Sequence, residues 1–265
     1  MAIVRLAHVS DIHFGGENPG AVAGALAWIA EHQPALTIVS GDLTQYGEPA
    51  EFAQAAAWLA AVPGDTLVTP GNHDAPYIAW AERVVAPFRR YRRHIGPPEG
   101  QAWVSEHVAV RALNTARGAQ PRLNWSKGQI GGGQVREALK WFQSEGQGRA
   151  RILVVHHPLV EMIGGPMTAR VWGGPAAASA FAAAEVDLVL SGHIHAPFVW
   201  PYPQHGGQTY AVGASTLSLR ERGVPAGFNN IEIEDGCIRV QALAWTGSHY
   251  ESYRTWSVDR RAPLT

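Results

Sequence analysis

Five short apolar runs, each followed at once by polar residues, constrain the fold of this chain more than any other feature of its sequence. The runs lie at residues 3–10, 35–40, 66–70, 151–155 and 186–191. Continuous runs of this length, rich in Val, Leu and Ile, are typical of strands that are buried on both faces. Helical patterns lie between them, at residues 21–32 and 49–62. The alternation predicts an α/β fold with a largely parallel sheet covered by helices.

Each run ends at a motif whose side chains can bind a metal ion. The five motifs are Asp11-Ile12-His13, Gly41-Asp42, Gly71-Asn72-His73-Asp74, His156-His157-Pro158 and Gly192-His193-Ile194-His195. Ligands of open α/β sheets bind outside the carboxyl ends of the strands, so motifs that are far apart along the chain meet at one edge. The sequence therefore predicts one site built from seven side chains: Asp11, His13, Asp42, Asn72, His156, His193 and His195.

These side chains provide four imidazoles, two carboxylates and one amide oxygen, enough to hold two transition-metal ions side by side. Imidazole and oxygen ligands suit Fe, Mn, Zn or Co, while the single cysteine of the chain excludes thiolate zinc and iron–sulfur sites. Taken singly, an Asp after a strand is a turn or cap residue, and a His is a buried, hydrogen-bonded group. All five motifs together, each at a strand end, favour a hydrolytic dimetal site.

In their order and spacing, the motifs resemble those of the calcineurin-like metallophosphoesterase superfamily, over residues 3 to about 200. Residues 41–48, with Glu51-Phe52, are similar to the branch that contains bacterial class III cyclic-nucleotide phosphodiesterases and glycerophosphodiesterases. Residues 128–134, with Trp141-Phe142, are similar to the same branch, in which a helix begins there before the fourth core strand.

The resemblance implies a fold, a two-sheet β-sandwich flanked by helices, in a single domain over residues 1–265. Residues 1–200 would form its core, and strands within residues 208–245 would complete the second sheet. The chain departs from the family pattern at His156-His157-Pro158-Leu159, where many members have a second proline. This departure leaves the ligands untouched and concerns the shape of the following loop.

The resemblance also implies how the metal ions are held. The ligands would divide into Asp11, His13 and His195 at one ion, Asn72, His156 and His193 at the other, and Asp42 as a bridge between both. The cofactors would be two divalent or mixed-valence ions (Mn²⁺, Fe²⁺/Fe³⁺, Zn²⁺ or Co²⁺), and a hydroxide shared between them would attack phosphorus in line. His157 is the alternative to His156, which is preferred because it fits the family's His-x-Pro spacing.

Two further residues are candidates for catalysis. His73 follows Asn72 and is expected to stabilise the phosphate charge and to protonate the leaving alkoxide. Asp74 has two alternatives: it holds the His73 ring in one tautomer, or it caps a helix before Pro76.

Three classes of function follow from this set. The first is a phosphodiesterase for small phosphodiesters, such as cyclic nucleotides or glycerophosphodiesters. The second uses the same site as a phosphomonoesterase, a nuclease or a pyrophosphate hydrolase. The third is a non-catalytic protein-binding scaffold, which the intact ligand set and His73 argue against.

The resemblance implies a small-molecule phosphoester as the partner, and the composition of the chain agrees with it. The formal net charge is −1, so no global field favours nucleic acid. No apolar run approaches the roughly 20 residues of a membrane span. Because a ligand is reached by Asp11, there is no room for a cleavable signal peptide, and the lone Cys237 fits a reducing compartment. A cytoplasmic location is expected, and the sequence leaves a homo-oligomer open.

Two segments near the motifs have open roles. The basic cluster at residues 89–94 favours a solvated helix face, with an anion-binding lip as the alternative. The Gly-rich loop at residues 162–174 is either a plain surface connection or a segment that shapes the pocket through Arg170 or Trp172.

Overall fold

Two six-stranded sheets face each other and are covered on their outer faces by helices, in a computed structural model that describes residues 3–161, 171–203 and 208–260. The expected α/β sandwich is confirmed. The strands are β1 (Val4–Val9), β2 (Leu36–Val39), β3 (Thr66–Val68), β4 (Ala102–Val104), β5 (Val108–Ala112), β6 (Ala150–Val154), β7 (Leu188–Ser191), β8 (Phe198–Pro201), β9 (Tyr210–Gly213), β10 (Gly227–Glu234), β11 (Cys237–Trp245) and β12 (Tyr250–Asp259). The helices are α1 (Pro19–His32), α2 (Pro49–Ala61), α3 (Trp80–Val85), α4 (Arg89–His94), α5 (Gly132–Glu145) and α6 (Gly174–Ala183).

The alternating faces of the strands produce three apolar layers, because successive side chains of a strand point to opposite faces. Leu6 points between the two sheets, whereas Ala7 and Val9 belong to the layer beneath α1 and α2. The second sheet repeats this division beneath α5 and α6, where Leu153 and Val155 pack on the outer side. Strands covered on both faces explain why the sequence shows continuous apolar runs instead of alternation.

The predicted helices are confirmed with small shifts of their ends. Asn18 caps α1 by accepting a hydrogen bond from the Ala21 amide, so that this helix begins before residue 21. Pro49 occupies the first turn of α2, where its missing N–H costs nothing. Among the described residues, no helix combines the length and the apolar character that a membrane span requires.

The parallel strands are divided between the two sheets, and their carboxyl ends lie at the same level. The first sheet has the order β12-β11-β10-β1-β2-β3, with β1, β2 and β3 parallel. The second has the order β4-β5-β6-β7-β9-β8, with β5, β6, β7 and β9 parallel. The alternation predicted one largely parallel sheet. The structure instead has two mixed sheets, and the edges that carry the motifs meet.

The expectation that the C-terminal strands complete the second sheet is wrong for most of them. Only β9 joins that sheet, beside β7. The next strand, β10, pairs antiparallel with β1, from Val4 opposite Ile233 to His8 opposite Asn229, and β11 and β12 follow it outward. These strands cover the open edge of β1, so the first sheet gains the antiparallel half.

Candidate metal centre

The five predicted motifs converge where the two sheets meet, and all seven predicted ligands are at most 5% exposed. His195 Nε2 lies 3.1 Å from Asp11 Oδ1 and 3.4 Å from His13 Nε2. His156 Nε2 lies 3.3 Å from Asp42 Oδ2. Residues separated by up to 184 positions in the chain thus bring their donor atoms together.

An unusual backbone conformation aims these side chains. Five of the seven predicted ligands have a positive φ, between 52° and 68°: Asp11, His13, Asp42, His193 and His195. Non-glycine residues rarely adopt this left-handed region, although Asp and His are enriched in it. At the end of a strand it turns the chain sharply, so that the side chain points back across the sheet edge.

The two carboxylates are held so that one oxygen of each faces the other ligands. Asp11 Oδ2 accepts hydrogen bonds from Ser10 Oγ at 2.6 Å and the His193 amide at 2.9 Å, which leaves Oδ1 toward His195. Asp42 Oδ1 accepts from the His73 amide at 2.7 Å. Its Oδ2 lies 3.9 Å from His13 Nε2 and, on the other side, close to His156. One oxygen of Asp42 therefore lies between the two proposed ligand groups.

Two of the four predicted ligand histidines are oriented by backbone carbonyls. His156 Nδ1 lies 2.8 Å from the Ser40 carbonyl, and His195 Nδ1 lies 2.9 Å from the Arg220 carbonyl. A ring that donates from Nδ1 presents the lone pair of Nε2 to the site, which is the usual arrangement behind a metal ligand.

The residues present fit a pair of metal ions. Asp11 Oδ1, Asn72 Oδ1 and His156 Nε2 are buried atoms without a hydrogen-bond partner in the described part of the chain. Buried polar atoms are nearly always satisfied, so such atoms demand an explanation. The donor atoms of Asp11, His13 and His195 lie within 4.8 Å of one another, as do those of Asp11, Asp42 and His156. Cations bound among them would satisfy these atoms.

The electrostatics of the site also call for cations. Burial alone would lower the pKa of His156, but the Asp42 carboxylate outweighs it and raises the pKa to about 9. Burial would also lower the pKa of His195, but the Asp11 carboxylate outweighs burial, so that the pKa is raised. Both shifts show that the two buried carboxylates favour positive charge at these rings, the same positions that metal ions would occupy.

His157 directs both of its ring nitrogens to protein groups, although it lies close enough to His156 and His193 to form a possible metal-binding group with them. Although its ring lies near His156 and His193, Nδ1 is 2.9 Å from Thr115 Oγ1 and Nε2 is 2.7 Å from the Ser126 carbonyl. Both nitrogens of His157 therefore contact protein groups outside the cluster, whereas His156 Nε2 faces the Asp42 carboxylate at 3.3 Å. The geometry supports the choice of His156 that the motif spacing favoured.

His73 lies beside the ligands, with half-buried character and a fixed orientation. Its Nδ1 is 2.7 Å from the Gln45 carbonyl, and Nε2 faces the cavity, 3.2 Å from Arg220 Nη1. The ring stacks on Tyr77 with 5.0 Å between centroids. Burial is the main cause of a lowered pKa for His73, while Asp42 opposes it.

The contacts of Asp74 fit neither of the two predicted roles. Its carboxylate accepts hydrogen bonds from the Thr44 amide and hydroxyl, at 3.0 and 2.9 Å, and from the Gly71 amide at 2.8 Å. It does not hold the His73 ring, which the Gln45 carbonyl orients, and no helix begins at Pro76. Burial and the nearby Asp42 raise the pKa of Asp74 to about 7. Asp74 ties the loop after β3 to the loop after β2.

The sequence model of the family described as "Calcineurin-like phosphoesterase" matches residues 4–197, well over half of the chain. The chain belongs to this family. The motif order of the sequence and the convergence of the five motifs agree with that membership.

Individual relatives of this phosphoesterase are moderately similar. A probable cyclic nucleotide phosphodiesterase of Synechococcus sp. is 27% identical over 261 residues, which cover 90% of the chain and 91% of the relative. A glycerophosphodiester phosphodiesterase of Enterobacter lignolyticus is 30% identical over 125 residues, 41% of each chain. The crystal structure of a dimetal phosphatase from Danio rerio shares the fold at a TM-score of 0.71 and 9% identity, covering 97% of this chain and 99% of that one.

A cavity of about 460 Å³ opens over the site. Besides ligand residues and His73, it is lined by Tyr77, Asn124, Ser126, Lys127, Arg220 and Arg222. The sequence motifs predicted none of these six residues. Most of them could have been predicted from the strand positions, because the loops after β5 and β9 also follow parallel strands and so reach the same edge.

The basic cluster and the described end of the Gly-rich loop, residues 171–174, are not among the residues that line this cavity. The basic cluster forms α4. Arg90 pairs with Glu82 at 2.9 Å and Arg92 pairs with Glu99, which fits the prediction of a solvated helix face. The Arg122 guanidinium lies over the ring of Trp172, with 4.6 Å between Arg122 Cζ and the ring centroid. Arg170 lies outside the described residues.

A buried arginine supports the loop that carries Asn72 and His73. Arg83 is 5% exposed and donates to the Ala75 carbonyl at 2.8 Å, the Gly118 carbonyl at 2.9 Å and the Asn72 carbonyl at 3.4 Å. Its guanidinium thus joins the loops that follow β3 and β5, and nothing in the sequence marks it.

Arg83→Lys is expected to weaken metal binding by about 10–100-fold, the range for the loss of a partner behind a metal ligand. One ammonium cannot reach the three carbonyls that the planar guanidinium spans, so Asn72 loses its support. Titration of metal-free protein with Mn²⁺ measures the effect, with far-ultraviolet circular dichroism to verify folding. Arg89→Lys, at an exposed side chain on α4, is the control. Unchanged affinity in Arg83→Lys would contradict this role.

Proposed function

We propose that this chain is a dimetal-dependent phosphodiesterase that hydrolyses small phosphodiesters, with cyclic nucleotides and glycerophosphodiesters as the leading classes. The observation that carries the proposal is the set of buried, unpartnered donor atoms on Asp11, Asn72 and His156, gathered beneath a cavity of small-molecule size. The two moderately similar relatives are both named as phosphodiesterases, which supports the substrate class.

In this proposal, the ligands divide as the resemblance implies, with Asp42 between the groups. When bound, two metal ions supply positive charge for the phosphoryl oxygens and activate water near neutral pH. The remaining tasks belong to the chain. Asp11 and Asp42 are fixed by the Ser10 hydroxyl and by backbone amides, so little reorganisation accompanies binding. His73 Nε2 faces the cavity, where it can approach a leaving oxygen.

The deciding experiment combines metal analysis with hydrolysis of bis(p-nitrophenyl) phosphate and p-nitrophenyl phosphate, with and without added Mn²⁺. Two metal ions per chain and faster cleavage of the diester are the expected result. Faster cleavage of the monoester would replace the proposal with a phosphomonoesterase. If the reloaded protein bound no metal and cleaved neither compound, the scaffold alternative would take its place.

A further inference from the structure

Three basic side chains line the site cavity. Lys127 comes from the loop after β5, and Arg220 and Arg222 come from the loop after β9; we call these three the cationic rim. Asp42, deep among the ligands, is the one carboxylate that lines the described part of the same cavity. Three cationic side chains therefore share this space with a single carboxylate among the described residues that line it.

The cationic rim differs from other basic groups of this surface. Arg90 pairs with Glu82, and Arg111 pairs with Glu137 at 3.0 Å. Over residues 3–161, 171–203 and 208–260, no rim side chain forms an ion pair with a carboxylate; Arg220 contacts the His73 ring instead.

The charge of the proposed metal ions adds to the positive charge of the cationic rim. Two divalent ions already outweigh the carboxylates of Asp11 and Asp42, so the rim adds to a positive surplus. Burial and the positive charge of the neighbouring Arg220 lower the pKa of Arg222, with Asp11 opposing. A phosphodiester carries one negative charge and balances little of this surplus. Guanidinium groups recognise a phosphate through paired hydrogen bonds.

We propose that the cationic rim binds a second phosphate of the substrate, so that the enzyme prefers phosphodiesters whose non-scissile part is itself phosphorylated. The inference rests on the proposed phosphodiesterase function. A cavity of about 460 Å³ has room for a group of nucleotide size between the metal ligands and the rim. The same charges disfavour diesters with a cationic head group.

Two matched substrates test the proposal: thymidine 5′-(p-nitrophenyl phosphate) with and without a 3′-phosphate. They share the scissile diester and the leaving group, and differ by the second phosphate alone. The 3′-phosphorylated compound is expected to have a kcat/KM about tenfold higher or more, a gain typical of one charge-assisted contact. Arg222→Gln and Lys127→Gln are expected to bring the ratio of the two kcat/KM values toward one. Arg93→Gln, an exposed side chain on α4, should keep the wild-type ratio.

A binding measurement without turnover gives the second readout. Calorimetry compares the Kd values of thymidine 3′,5′-bisphosphate and thymidine 5′-monophosphate, for metal-free and Mn²⁺-loaded protein. Tighter binding of the bisphosphate, lost in Arg222→Gln, supports the rim even if no ester is hydrolysed, an outcome that would count against the proposed function alone. Equal kcat/KM values for both esters in the wild type overturn the rim. So does an equal loss on both esters in Arg222→Gln, which assigns the rim to the scissile phosphate.

Discussion

Asp42→Asn is expected to abolish binding of both metal ions and to reduce phosphodiester turnover by more than about 100-fold. Loss of a partner behind a ligand already costs about 10–100-fold in affinity or activity, and Asp42 Oδ2 faces both ligand groups. Asn is the suitable replacement because residue 42 has a φ of 52°, which Asn tolerates and Ala does not. The hydrogen bond from the His73 amide can also be kept.

Metal content per chain and steady-state hydrolysis of bis(p-nitrophenyl) phosphate measure this effect. Asp259→Asn, at an exposed position on the edge strand β12, is the matched control and should retain both properties. Two bound metal ions together with wild-type turnover in Asp42→Asn would rule out the bridging role.

His73→Ala is expected to keep both metal ions and to slow hydrolysis of alkyl diesters by about 10²–10⁴-fold, the usual contribution of a positioned acid. A p-nitrophenolate leaving group needs no proton, so bis(p-nitrophenyl) phosphate should recover part of the loss. The comparison needs kcat for one alkyl and one aryl diester in each variant. His249→Ala, at an exposed loop residue, serves as the control.

The pH profile separates protonation from positioning. A general acid works in its protonated form, so its contribution to kcat is lost as pH rises through the pKa of His73, which burial lowers below its ordinary value. The contact with Arg220 Nη1 uses the unprotonated Nε2 and needs no titration. An equal loss for both leaving groups, with an unchanged pH profile, would show that His73 positions the phosphate.

Strand ends explain why so much of the site could be predicted from sequence. Strands buried on both faces leave continuous apolar runs, and parallel strands place the residues that follow them at one edge. Asp11, Asn72 and His156 therefore meet although nothing local connects them. The choice between His156 and His157 came from motif spacing, and the hydrogen bonds of His157 supply the physical reason for it.

Contacts between loops could not be predicted in the same way. Arg83 acts through carbonyls of two loops, and carbonyls leave no mark in a sequence. Asp74 accepts from the loop after β2, so its local resemblance to a helix cap misled the interpretation. The pairing of β10 with β1 depends on which sheet edge is open, a property of the whole fold.

The left-handed conformation at five ligand positions sets chemistry against stability. Each such residue costs about 1–2 kcal/mol relative to glycine, and the sum approaches the whole free energy of unfolding of an ordinary domain, about 5–15 kcal/mol. Glycine at Asp11 or His13, whose φ is 53° in both cases, would relieve this strain and delete a ligand in the same step. At these five positions, the backbone conformation that aims the side chains into the site therefore works against the stability of the fold.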